Sequence, residues 1–357
     1  MNEPVLAHSP SDLLNRGNSP DLLHKILDAT RECVLMVDAD LRISNCNAAA
    51  VTAFSRPGMK IEGRRLTEVI RDLDLHGAFR RAISAGETSD VRLELIGTER
   101  RKFDVHVAPI ELDGTQQAIG FFYDTTQIDR LESVRQEFLS NISHELRTPL
   151  TSILAFVETL EDGAFEDQVN NRRFLATIRR NAERMNNLIA DILELSLIES
   201  GQVSIAKRPV RLRDLTDEVF TNLSAKARDR EISLVNLVPD GTLPMADPGR
   251  IEQMLINLVD NAIKFNRRGG SVTVSSERQP SGVTISVADT GEGILPEHLD
   301  RLFERFYRID RARSREIGGT GLGLAIVKHL ARLHGGEVSV RSALSEGTVF
   351  SIELPAE

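Results

Sequence analysis

Long apolar runs are missing from this 357-residue chain. No stretch reaches the ~20 apolar residues that a membrane-spanning helix needs, and the N-terminus lacks the basic-then-apolar layout of a secretory leader. Cysteine is scarce: Cys33 and Cys46 are the only two. A pair of thiols makes neither a zinc site by itself nor a multi-bridge framework, so buried free thiols in a reducing compartment are expected. An excess of positive charge is also absent, since 44 Lys and Arg stand against 53 Asp and Glu for a formal net charge of -9. That balance excludes a direct nucleic-acid surface, because phosphate backbones require clustered cations. No GxxxxGK[ST] string occurs, which removes the Walker-type phosphate loop. These absences leave a cytoplasmic, acidic chain of ordinary globular proportions, too long for one core.

Residues 1–21 are rich in Ser, Asn, Pro and Asp and predict a flexible N-terminal tail. From residue 22 the pattern changes. "ECVLMVDADLRISNCNAAAVTAF" predicts a strand, an Asp-Ala-Asp turn, an alternating strand and a helix opening near Asn47. A helical patch and three further strands, "VRLEL", "KFDVHVAPI" and "QQAIGFFYD", complete a small antiparallel α+β domain over 22–126. Cys46 does not sit in the surroundings of a flavin-photoreceptor cysteine, and His76 with His106 makes no haem site.

Helical periodicity then takes over. Ile128, Leu131, Val134, Phe138 and Ile142 paint one stripe. After a break at "EDGAFEDQVNN", Phe174, Ile178, Met185, Ile189 and Ile192 paint another, ended by Gly201. Two amphipathic helices cannot bury both stripes alone, so 127–204 predicts a helical hairpin that dimerises into a four-helix bundle. Within the first helix, "FLSNISHELRTPL" sets His144, Glu145 and Thr148 on adjoining faces, followed by Pro149, which removes a backbone hydrogen bond and bends a helix.

The last domain, 205–357, alternates helices with five strands and predicts a sheet covered by helices on one face, an α/β sandwich. A helix opens at Pro248 with Asp247 as its cap. At about 100° per residue, Ile251, Met254, Leu255, Leu258, Val259 and Ala262 share an apolar sector, with Asn257, Asn261 and Lys264 on a neighbouring strip. Asparagine is a poor helix former, and two of them one turn apart point to binding. "VADTGEGI" ends a strand on Asp289 before Gly291 and Gly293. "GGTGLGLAIVKHL" sets Gly319, Gly321 and Gly323 at a helix start, where backbone amides can hold phosphate. A dinucleotide fold would need a strand directly before those glycines, but the preceding segment is polar and rich in arginine.

In sequence order, "NLVDNAIKF", "DTGEGI", "LFERFYR" and "GGTGLGLAI" resemble the N, G1, F and G2 boxes of the histidine-kinase ATPase domain, whose fold is shared with gyrase-type and chaperone ATPases. "FLSNISHELRTPL" resembles the H box of the dimerisation and phosphotransfer domain. The segment before it, with "DTT" at 124–126, resembles a PAS sensor domain. The chain thus resembles a two-component sensor histidine kinase, most like the phosphate-regulon type.

The resemblance implies ATP and Mg²⁺ as cofactors. Asn261 and Asn257 would hold the metal and Lys264 would meet the phosphates. Asp289 would read the adenine amino group, with Gly291 and Gly293 closing around the base. Gly319, Gly321 and Gly323 would bring amides to the phosphates, under a mobile lid between Phe303 and Gly318, with Arg308 reaching the γ-phosphate. His144 would accept the phosphoryl group, Glu145 its proton, and Thr148 would serve dephosphorylation of a partner aspartate. The implied partners are a second copy of the chain, a response regulator, and an unnamed protein or small ligand at the PAS-like domain. A scaffold that keeps the fold without activity, and a related ATPase or serine kinase, are the rival classes. Intact boxes oppose the first and the H box opposes the second.

Overall fold

The computed structural model describes residues 27–55, 58–96, 100–112, 114–164, 167–310 and 319–356, so the expected tail lies outside the described residues. The chain forms two compact units that meet between Gln136 and Glu137.

In the first unit, β1 (Cys33–Val37) and β2 (Ile43–Cys46) lead into α1 (Ala48–Phe54), capped by Asn47 as its sequence predicts. The expected single helical patch is two helices, α2 (Leu66–Val69) and α3 (Leu73–Ala85), because Asp72 caps the second and breaks the run. A meander of β3 (Ser89–Ile96), β4 (Arg100–Leu112) and β5 (Thr115–Asp124) completes an antiparallel sheet of order β2-β1-β5-β4-β3. Phe54, Phe79, Phe103 and Phe122 fill the space between sheet and helices. A Cβ on Gly120 would stand 2.5 Å from the Phe79 ring, so the packing there requires glycine. Cys33 and Cys46 are free and buried in this core.

A single helix, α4 (Thr126–Thr159), continues unbroken past Pro149. Pro149 cannot donate to the Glu145 carbonyl, while one residue earlier the Thr148 hydroxyl donates to the His144 carbonyl at 3.1 Å. A π turn (Leu160–Ala164) follows, and then α5 (Gln168–Glu199). Phe156 stacks on Phe174, Ser152 meets Asn181, and Glu145 meets Arg184, so the two helices run antiparallel.

Next come β6 (Arg208–Pro209), α6 (Leu212–Asp229), β7 (Ser233–Leu237), β8 (Met245–Ala246) and α7 (Pro248–Lys264). They are followed by β9 (Ser271–Gln279), β10 (Gly282–Asp289), α8 (Pro296–Leu299), α9 (Gly323–Leu333), β11 (Glu337–Ala343) and β12 (Gly347–Pro355). The five predicted strands form one sheet, β11-β12-β10-β9-β7, with only the β7–β9 pair parallel. The whole predicted apolar sector of α7 is buried against it. Leu188, Leu195 and Ile198 of α5 enter the same core, which is why hairpin and sheet domain make one unit.

The link between them is short. Gln202 N–H closes the end of α5 on the Leu197 carbonyl. Ala206 N–H already donates to Asp247 Oδ2 at 3.1 Å, and β6 pairs with β8.

Candidate functional site

One cavity of about 470 Å³ lies over α7, β10 and the start of α9. It is lined by Asn257, Asn261, Lys264, Asp289, Gly293, Arg308, Gly319, Gly321 and Gly323, residues far apart in sequence that the fold brings together. The polar strip of α7 faces it while the apolar sector beside that strip turns into the core. Gly291 stands just outside the lining, and its N–H donates to Asp289 Oδ1 at 2.8 Å. Burial pushes the Asp289 carboxyl up, while N–H groups of Gly291 and Thr348 pull it back without cancelling the rise.

Gly293 and Gly291 are needed sterically. A Cβ at Gly293, where φ is +71°, would fall 1.9 Å from the Ala343 carbonyl oxygen. At Gly291 it would meet the Phe265 carbonyl at 2.6 Å, and at Gly323 the Asn257 amide oxygen at 3.2 Å. The third case shows the glycine-rich segment seated directly on the asparagine strip. The expected lid is described as far as Asp310; residues 311–318 lie outside the described residues.

The charged groups are already engaged. Asp260 holds Lys264 at 2.6 Å and Lys226 at 2.7 Å. Burial alone would raise the Asp260 carboxyl, but Lys264 and then Lys226 outweigh it and hold it below the usual carboxylate range. Arg308 donates through Nη2 to the Gly319 carbonyl at 2.5 Å and to Glu145 Oε2 at 3.1 Å. Glu145 also accepts from Arg184 at 2.9 Å. His144, next along α4, is exposed, and so is Thr148. The structure therefore places Glu145 against two arginines and His144 at the surface of the same unit.

Sequence reasoning did not find Asp191, Asp260, Arg184 or Thr320. Asp191 lines the cavity from α5 and accepts the Thr320 hydroxyl at 2.7 Å. Burial pushes its carboxyl up. Asp260 carried a local signal, a carboxylate one turn before Lys264. Asp191 and Arg184 carried none beyond ordinary helix polarity. In the first unit, His76 contacts the Ile70 carbonyl and His106 contacts Asp90. Among the described residues no helix is long and apolar enough to cross a membrane.

Three families match the chain in succession: the PAS fold over 27–130, the His Kinase A (phospho-acceptor) domain over 134–201, and the histidine kinase-, DNA gyrase B- and HSP90-like ATPase over 246–357. Sensor histidine kinase WalK of Bacillus subtilis (strain 168) is 35% identical over 240 residues, covering 66% of this chain and 39% of that protein. Sensor protein kinase WalK of Staphylococcus aureus is 36% identical over 242 residues, covering 67% of this chain and 58% of that protein. The chain thus spans about two-fifths to three-fifths of the length of these curated relatives. Among solved structures, Acinetobacter baumannii histidine kinase AdeS is 27% identical with a TM-score of 0.50, over 59% of this chain and 97% of that one. Histidine kinase ThkA, solved with response regulator protein TrrA, shares the fold at 23% identity and a TM-score of 0.52, over 91% of this chain and 96% of that one. With PAS, phospho-acceptor and ATPase regions in this order on the fold described, the chain belongs to the sensor histidine kinase family.

Proposed function

We propose that the protein transfers the γ-phosphoryl group of ATP to His144 and passes it to an aspartate of a response regulator. The observation that carries this reading is the convergence of the asparagine strip, Asp289 and the glycine segment on one cavity, in the same compact unit as the His144 helix. Asp289, half-buried at the end of β10, suits a hydrogen bond from the adenine amino group. Gly319, Gly321 and Gly323 would bring the start of α9 against the phosphates, where helix N-terminal amides favour anions.

The donor set fits Mg²⁺. Asn257 and Asn261 offer amide oxygens, and no group of three or more His, Cys, Asp or Glu converges among the described residues. That composition suits an ion that shares its oxygen ligands with nucleotide phosphates and water. Bound there, it would neutralise phosphate charge.

In the transfer, a ring nitrogen of His144 attacks the γ-phosphorus. The P–O bond to the bridging oxygen breaks, ADP leaves, and Glu145 takes the ring proton. Thr148, exposed one turn beyond His144, suits the placement of water for hydrolysing the regulator's phosphoaspartate, a phosphatase activity of the same helix. Exposed Leu139, Leu150, Leu154, Ile189, Leu193 and Leu197 on the hairpin support a homodimer. The domain boundaries we favour are 22–126, 127–204 and 205–357. We assign the work to the cytoplasm, with input to the PAS domain from a protein or small ligand.

Labelled ATP tests the reading. The chain should acquire acid-labile, alkali-stable phosphate that His144→Ala abolishes while ATP binding persists. Absence of labelling in a chain that binds ATP would sink it. Thr148→Ala should spare autophosphorylation and lose at least most of the phosphatase activity.

A further inference from the structure

The hairpin lies at the mouth of the cavity through acidic side chains. Glu145 of α4 accepts from Arg308, whose side chain is only 6% exposed, and Arg308 in turn holds the Gly319 carbonyl. Asp191 of α5 accepts the Thr320 hydroxyl, one residue further along the same glycine segment. Two more α5 carboxylates fasten the contact, Glu194 on Arg250 and Glu199 on Arg305, each at 2.5 Å. Phe138 packs beside Phe306 with ring centroids 5.8 Å apart, and the Arg305 guanidinium lies over the Phe138 ring.

A carboxylate and a phosphate ask the same thing of a guanidinium or a hydroxyl: negatively charged oxygens at hydrogen-bond distance. Resting on the reading of the cavity as an ATP site, we propose that this docked hairpin is an autoinhibited state in which Glu145 and Asp191 hold Arg308 and Thr320 in place of nucleotide phosphate. One ion pair then disables two parts at once. Arg308 is withheld from the γ-phosphate, and Glu145 is turned to arginines instead of to the His144 proton. Linkage makes the effect reciprocal: whatever favours the γ-phosphate on Arg308 must disfavour docking by the same factor. ADP, with no γ-phosphate, has no claim on Arg308 and leaves the latch closed.

Calorimetric titration of the full chain with Mg²⁺ and a non-hydrolysable ATP analogue, and separately with ADP, reads this directly. Glu145→Gln should tighten the analogue about threefold to tenfold and leave ADP within about twofold, consistent with a coupling of the usual size. An unchanged analogue-to-ADP ratio overturns the proposal. A wild-type chain that binds neither nucleotide overturns the ATP-site reading instead. A second measurement leaves Glu145 in place. Gln253 of α7 donates to Glu194 across the docked contact, so in a Glu194→Cys, Gln253→Cys double variant saturating analogue should slow disulfide formation several-fold relative to ADP. Equal rates with both nucleotides also overturn the proposal.

Discussion

Asp289 shows what one half-buried carboxyl can be made to do. Burial raises its proton affinity, and the Gly291 and Thr348 amides hold it in a fixed direction at the end of β10. At the proposed adenine contact, an amide whose oxygen keeps the Gly291 and Thr348 N–H groups would turn its NH2, a donor, toward the adenine amino group. Asp289→Asn should therefore weaken ATP binding about tenfold or more, the usual scale for a hydrogen bond to a charged group, with GTP binding little changed; competition titration measures both. Asp289 was legible because a carboxylate between an apolar strand and two glycines is a local pattern. Asp191 and Thr320 were not, because each is an ordinary polar residue until tertiary packing sets them 2.7 Å apart.

Helix α7 depends on its first residue before the first turn. Asp247 Oδ1 accepts from Gly249 and Arg250 N–H groups, and the Asp247 N–H donates to Nε2 of buried His334. Burial would raise the Asp247 carboxyl, but the Ala206, Arg250 and Gly249 amides outweigh it and hold it below its ordinary value. A depressed carboxyl contributes its full stability above the unfolded value of about 4 and loses it as pH falls through the lower folded value. Urea midpoints measured from pH 5 to pH 2.5 should fall less steeply for Asp247→Asn than for wild type. Asp247→Ala should cost about 1 kcal/mol at pH 7. The cap, the polar strip and the apolar sector of α7 were all readable from sequence, since 3.6-residue periodicity is local. The β6–β8 ladder was not, because two residues per strand carry no period. Pro149 was expected to bend α4, and the helix continues through it for ten further residues to Thr159.

Across the molecule, the predicted sheets, hairpin and helix-covered face are all present, while the contact between hairpin and nucleotide cavity was invisible in the sequence. It joins charged residues more than a hundred positions apart, such as Glu145 and Arg308, which no local pattern relates. The hairpin still leaves Leu193 60% and Leu197 48% exposed on α5. Leu193→Lys combined with Leu197→Lys should convert a dimer to monomers in light scattering and leave nucleotide affinity within about twofold, because neither residue lines the cavity.

The short link after α5 sets the terms on which the latch can open. Four peptide steps separate the last helix-closing amide, at Gln202, from the first amide fixed to the α7 cap, at Ala206. Fully extended they span only about 14 Å. Hairpin and catalytic domain are therefore tethered partners whose effective concentration for each other is on the order of millimolar or higher. Diluting the protein cannot separate them. Any signal that frees Arg308 must win against a neighbour that is always within reach.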